Sequence, residues 1–129
     1  MSYQLTITEK PSYVHALVTG ANSRENVEGY LRDIMRECAA RKCVRVLIEE
    51  RLEGPRLDTL TVFHIASEGS RRAQGDFEAI AYVDVNAEGN LMKFAETVAV
   101  NRGLPVMVFS SVAKAEEWLL TLPPGGPRP

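Results

Sequence analysis

Residues 77–85 read FEAIAYVDV, a nearly continuous apolar run. Successive side chains of a strand point to opposite faces of its sheet. A run that is apolar at almost every position therefore predicts a strand that is covered on both faces. Such strands are typical of parallel sheets, in which crossover helices lie on both sides.

Strands and helices alternate on both sides of this run. The pattern predicts strands at residues 3–8, 13–19, 44–48, 77–85 and 105–109, and helices between and after them. The resulting order, β-β-α-β-α-β-α-β-α, predicts an α/β fold with a mostly parallel, mixed five-stranded sheet and four helices. We expect the first strand at an edge of the sheet, because it alternates apolar and polar residues.

The helix boundaries are predicted from capping and breaking residues. Asn22, three residues before Glu25, predicts the N-cap of the first helix. The second helix is expected at residues 57–68, with Gly69 ending it. Ser110 or Ser111 is expected to cap the last helix.

Length and composition limit the possible classes of protein. A chain of 129 residues with 45% hydrophobic residues predicts one domain, at residues 1–122, followed by a disordered tail at 123–129 that reads PPGGPRP. A net charge of −2 argues against nucleic-acid binding. No apolar run reaches the ~20 residues of a membrane span, and no N-terminal signal is visible, so we expect a cytoplasmic protein.

The cysteines and histidines do not predict a metal or cofactor site. Cys38 and Cys43 lack the spacing of metal ligands and are expected to be reduced thiols of the core. His15 and His64 have no nucleophile motif near them, so no catalytic triad is predicted. No glycine-rich phosphate loop occurs, and we predict no cofactor, no metal and no enzymatic activity.

Polar residues follow the predicted parallel strands, where open α/β sheets place their functional crevice. One hypothesis is a pair of carboxylates for acid–base chemistry or for Mg²⁺. The favoured interpretation is helix capping, since Asp, Asn and Ser side chains accept hydrogen bonds from the free amides of a helix N-terminus. The candidates are Glu49, Glu50, Asp58, Thr59, Asp84, Asn86, Ser110 and Ser111.

The second helix is apolar on more than one face. Such a helix is either buried between the sheet and another helix or covered by a partner or a ligand. Both interpretations stay open at this point. The residues that surround it are Leu57, Leu60, Val62, Phe63, Ile65 and Ala66.

The order of elements and the C-terminal pattern resemble a known family. The chain ends its third helix with NRG, continues with the strand PVMVFSS, and then has VAKAEEWLL. With the element order, this resembles the STAS domains of the anti-sigma-factor antagonists, and more closely the bacterial STAS/SEC14-domain, or sporulation-antagonist-like, proteins. The resemblance implies a STAS-like fold over nearly the whole chain.

In the antagonists, a turn of the form Asp-Ser-Ser-Gly begins the second helix, and a partner kinase phosphorylates its second serine. Asp58 matches the aspartate and Thr59 stands at the first serine. Leu60 replaces the phosphoacceptor and Thr61 replaces the glycine. We therefore expect no phosphoserine switch, with Thr59 or Thr61 as the alternative acceptors.

Two functional hypotheses follow from the resemblance and the second helix. The first is a non-enzymatic module that binds a protein partner, or a second copy of itself as a homodimer, through the second helix and the loop before it. The second is a carrier or sensor of a small apolar or lipid-like ligand, which the SEC14 side of the resemblance implies. The residues expected to take part are Asp58, Thr59, Leu60, Val62, Phe63, Asp84 and Ser110.

Overall fold

The computed structural model describes residues 3–73, 75–84 and 90–122. Their elements follow the predicted order of five strands and four helices. The strands are β1 Tyr3–Glu9, β2 Val14–Ala21, β3 Arg45–Glu53, β4 Ala79–Asp84 and β5 Val106–Phe109. The helices are α1 Arg24–Ala40, α2 Thr59–Ala73, α3 Asn90–Asn101 and α4 Val112–Thr121.

The five strands form one sheet in the spatial order β1-β2-β3-β4-β5. The pair β1–β2 is antiparallel, and the pairs β2–β3, β3–β4 and β4–β5 are parallel. The predicted mixed, mostly parallel sheet is therefore confirmed, as is the edge position of the first strand. Exposure alternates along β1 because only one of its faces is covered.

Helices cover the two faces of the sheet unequally. On one face, α1 and α2 pack over a core cluster that includes Val14, Ile34, Val46 and Ile80. The helix α3 packs against α2 and β5. On the other face, α4 packs against β3, β4 and β5 over a smaller cluster that includes Leu47. Each residue of β3 therefore belongs to one of two differently covered faces.

The boundaries of β3 and α2 differ from the prediction. The expected loop EERLE is the second half of β3, because Glu49 pairs with Leu17 of β2 and with Val83 of β4. Tertiary pairing here outweighs the low strand propensity of glutamate. The helix α2 runs through Gly69 to Ala73, and Gly69 is helical rather than a stop.

The N-caps correct one of the two predictions and confirm the other. Ser23, rather than Asn22, caps α1 and accepts from the amide of Asn26 at 3.1 Å. Asn22 instead donates from its side chain to the carbonyl of Pro55. Ser111 caps α4, the second of the two predicted serines. The predicted tail at residues 123–129 lies outside the described residues.

Candidate functional site

An apolar cavity of about 170 Å³ lies between the sheet and the helices α1, α2 and α3. It extends along the face of the sheet that carries the larger core cluster. Helix side chains form its roof, and strand side chains form its floor. Its apolar walls include Val27, Leu31, Ile34, Val46, Ile48, Leu57, Val62, Ile65, Ile80, Ala99, Val106 and Val108.

The sequence of α2 explains why this space is open. Ala66, Gly69, Ser70 and Ala73 all line the cavity from the same helix. They lie three or four positions apart, so they share one face of α2. These side chains are too small to reach the sheet. A Cβ added at Gly69 would meet no atom within 4 Å, so the space beside it is open.

One end of the cavity is polar and lies at the carboxyl ends of β3 and β4. Glu50 of β3 and Tyr82 of β4 both line it. The Tyr82 hydroxyl donates to Glu50 Oε2 at 2.5 Å, and the hydroxyl of Tyr30 on α1 donates to the same oxygen. The two hydroxyls also contact each other. The carboxyl group of Glu50 thus connects β3 with β4 and α1 through hydrogen bonds.

Burial determines the charge of this carboxyl group. Burial, together with a hydrogen bond to Asp84, raises the pKa of Glu50 to about 7, although the hydrogen bonds from the two tyrosine hydroxyls act to lower it. A hydrogen bond between two carboxyl groups requires a shared proton. Burial also raises the pKa values of Tyr30 and Tyr82 well above 10, so both stay protonated donors.

Asp84 and Arg56 complete the polar end. Asp84, the last residue of β4, is 4% exposed. The guanidinium of Arg56 lies 3.8 Å from the Asp84 carboxylate as an ion pair. Arg56 comes from the loop between β3 and α2, and 36% of its side chain is exposed. The cavity therefore changes from an apolar interior to a charged, partly exposed end.

Glu49 lies on the other face of β3 and does not take part in the site. Its Oε1 contacts His15 Nε2 at 2.9 Å, and its Oε2 accepts from Arg51. Burial works to raise the pKa of Glu49, but the hydrogen bonds of Arg51 and His15 outweigh it and hold that pKa below its usual value. This carboxylate is paired as a structural ion.

The candidate residues of α2 separate into three roles. Asp58 caps the helix, since its Oδ1 accepts from the amide of Thr61 at 2.8 Å. Val62 lines the cavity. Phe63 contacts Phe94 of α3, at 6.3 Å between ring centroids. It is half-buried there.

Four candidates lie apart from the cavity walls or cannot be placed. Leu60 is 66% exposed on the surface of α2. Ser110 is exposed beside the cap of α4. The side chain of Thr59 and the whole of Asn86 fall outside what the structure describes. Asp84 and Glu50 are thus the two predicted candidates that lie at the polar end.

The tyrosines of the polar end were not among the predicted site residues. Tyr82 lies inside the apolar run at 77–85, and Tyr30 lies in the first helix, where an aromatic residue on the apolar face indicates a core position. The available signal was that Tyr82 and Asp84, two residues apart, must share one face of a strand. Glu50 was a candidate, but it was expected in a loop after the third strand.

Neither a cluster of potential metal ligands nor a helix that could span a membrane is found in the part of the chain that the structure describes. Within residues 3–73, 75–84 and 90–122, no group of three His, Cys, Asp or Glu side chains is arranged to hold a metal. No helix in those ranges is long and apolar enough to cross a bilayer.

Burial raises the pKa of the Cys38 thiol to about 12, which keeps it in the unreactive protonated form.

Comparison with known proteins identifies the fold. No protein-family model matches the chain, and no curated protein matches it. A crystal structure of an uncharacterized protein from Shewanella loihica PV-4, of the DUF3478 family and with a SpoIIAA-like fold, superposes with a TM-score of 0.56. The two chains are 19% identical over 91% of this chain and 93% of the other. The chain therefore has a SpoIIAA-like, STAS-like fold, which confirms the predicted fold class.

Proposed function

We propose that this protein is a non-enzymatic STAS-like module that binds a small apolar or lipid-like molecule between its sheet and helices α1 to α3. The observation that carries the proposal is the apolar cavity of about 170 Å³. Protein interiors normally pack as densely as organic crystals and leave few voids larger than a water molecule. An engineered apolar cavity of ~150 Å³ binds benzene or xenon. A cavity of this size is therefore large enough for an apolar occupant.

The size of the cavity restricts the ligand. Pockets for drug-sized ligands span ~300–1,000 Å³. A cavity of about 170 Å³ is smaller, so it fits a short alkyl chain or a single ring. The proposal needs no phosphorylation, because Leu60 occupies the position of the antagonists' phosphoacceptor.

Filling the cavity tests the proposal. Ala66 lines it from α2, and Ala66→Leu places three additional carbon atoms inside it. We expect 1-hexanol to raise the midpoint of thermal unfolding of the wild type, because binding to the folded state alone stabilises it. The same concentration should leave the Ala66→Leu variant unchanged.

The control is Ala113→Leu, the same substitution at an exposed position on α4, on the other side of the sheet. This variant should respond to hexanol as the wild type does. Equal responses of wild type and Ala66→Leu would place binding elsewhere and contradict the proposal. Circular dichroism confirms that each variant is folded.

The second candidate function is association through α2 with another protein or a second copy of this chain. The exposed Leu60 favours it, together with Phe94, which is 36% exposed beside Phe63. Leu60 and Phe63 are three residues apart and therefore neighbours on the helix surface. These side chains give α2 an outer apolar face in addition to the face that lines the cavity.

Leu60→Asp tests association more cleanly than a change at Val62 or Phe63, because Val62 lines the cavity and Phe63 packs against Phe94. We expect light scattering to show a dimer for the wild type and a folded monomer for Leu60→Asp. A wild type that stays monomeric up to high concentration would rule out self-association.

A further inference from the structure

The polar end of the cavity limits which ligand head group it can hold. Polar side chains elsewhere on the walls are already engaged. The Ser70 hydroxyl donates to the carbonyl of Ala66 at 2.6 Å, and Glu96 Oε2 accepts from the amide of Val108 at 2.7 Å. A ligand head group therefore finds its main polar contacts at Glu50, Tyr82, Asp84 and Arg56.

These groups present acceptors more than donors. The hydroxyls of Tyr30 and Tyr82 lie within hydrogen-bonding distance of Glu50 Oε2 and of each other, so their hydrogens are used within this cluster. Each phenol oxygen still has acceptor capacity, and a carboxylate offers about four acceptor sites. Arg56 is the cation among them, and it lies 3.8 Å from Asp84. A head group that donates hydrogen bonds therefore fits this end best.

The polar end carries more carboxyl groups than cations, so its charge favours a positively charged head group. Glu50 from β3 and Asp84 from β4 are the two carboxyl groups, and Glu96 from α3 adds a third on the cavity wall. Arg56 from the loop before α2 supplies one positive charge. With Glu50 ionised, the negative charges outnumber the positive one, so an anionic head group would be repelled.

We propose that the cavity selects amphiphiles with a short apolar chain and a primary ammonium head, which donates hydrogen bonds to Glu50 and Asp84. This inference rests on the proposed function, since the chain must occupy the cavity for the head to reach its end. A fatty-acid carboxylate is the disfavoured head group, because it adds a further negative charge beside two carboxyl groups. The raised pKa of Glu50 makes amine binding tighten as the pH rises through about 7.

The test uses three probes with the same alkyl chain: hexylamine, 1-hexanol and hexanoate. Isothermal titration at pH 8 should give hexylamine an affinity about tenfold higher than that of hexanol, since a charge-assisted hydrogen bond is about twice as strong as a neutral one. Hexanoate should bind most weakly. The hexylamine affinity should fall as the pH is lowered from 8 to 6, whereas the hexanol affinity should stay constant.

The variant Glu50→Gln removes the negative charge and keeps an oxygen acceptor for the tyrosines. It should lose about tenfold in hexylamine affinity, so that hexylamine no longer binds more tightly than hexanol. The wild-type series decides the question even if this variant fails to fold. Binding of hexanol without a preference for hexylamine, or tightest binding of hexanoate, overturns the ammonium proposal and leaves the apolar cavity site standing. Binding of none of the three overturns both proposals.

Discussion

Glu49 and Glu50 are adjacent on β3, yet the pKa values of their carboxyl groups are shifted in opposite directions. Glu49 faces the side of the sheet that α4 partly covers, and its hydrogen bonds with Arg51 and His15 lower its pKa. Glu50 faces the cavity, where burial raises its pKa to about 7 and its partners are phenols and a second carboxyl group. One residue step along a strand thus separates a structural ion pair from a titratable group at the end of an apolar cavity.

The two faces also differ in packing. The face under α4 holds a cluster with Leu47, Ala115 and Leu119, each at most 1% exposed. The face under α1 to α3 holds the larger cluster, but it encloses the cavity. The cavity therefore lies on the face with three helices, beside a core that is as deeply buried as the one under α4.

The largest loss in the free energy of unfolding is expected from truncating two adjacent core residues, one on each face of the sheet. Leu47→Ala on the α4 face should cost toward the upper end of the ~2–5 kcal/mol range for such changes. Ile48→Ala should cost toward the lower end, because Ile48 lines the cavity and already lacks neighbours on one side. Urea unfolding gives both free energies. Equal losses at the two positions would show that the faces are equally well packed.

The second-largest effect is expected on the pH dependence of the free energy of unfolding, through Glu50. Its pKa is raised from 4.5 in the unfolded chain to about 7 in the folded protein, so folding takes up a proton between these values. The protonated Glu50 therefore stabilises the fold below pH 4.5. As the pH rises from 4.5 to about 7, the free energy of unfolding should fall by about 3 kcal/mol at most. Glu50→Gln should remove this loss, as measured by urea unfolding from pH 5 to 8.

Glu49→Gln is the matched control on the other face. The pKa of Glu49 is lowered, so its contribution is present above the unfolded pKa and lost as the pH falls through the folded value. The control variant should be less stable than the wild type above about pH 4.5, should keep the wild-type loss between pH 5 and 8, and should lack the wild-type loss below about pH 4.5. A wild type whose stability is flat from pH 5 to 8 would contradict the assignment for Glu50.

The smallest effect is expected at the helix caps on the two sides of the sheet. Asp58→Ala should destabilise the protein measurably, because it removes a charged acceptor 2.8 Å from the Thr61 amide. Ser111→Ala should cost less, since its neutral hydroxyl lies 3.3 Å from the Lys114 amide. Unchanged unfolding of Asp58→Ala would argue against capping and return Asp58 to the functional candidates.

The fold was readable from the sequence because it depends on local periodicity. The apolar run at 77–85 contains β4, and the alternation before Pro11 predicted an edge strand that is found there. The cap at Asp58 and the end of α3 at Gly103, where φ is 86°, follow from residue types at single positions. Each of these features is determined within a few residues of the chain.

The site was only partly readable, because its groups come from separate elements. Tyr30 and Tyr82 had the spacing of core residues, and no local pattern showed that both would reach Glu50. The pairing of Glu49 and Glu50 with both neighbouring strands extended β3 beyond the predicted end. The small residues of α2 gave no sign of a cavity until the opposing sheet and helices were in place.

By itself, the sequence determined the order of the elements, the mixed sheet with its antiparallel edge, and the absence of the phosphoacceptor at Leu60. These properties depend on side-chain periodicity and residue identity, which the chain carries locally. Only the tertiary structure decided that Glu50, Tyr82 and Asp84 meet at the end of an apolar cavity. The charge of a carboxyl group and the volume beneath a helix depend on which distant segments pack around them, and that information exists only in the folded chain.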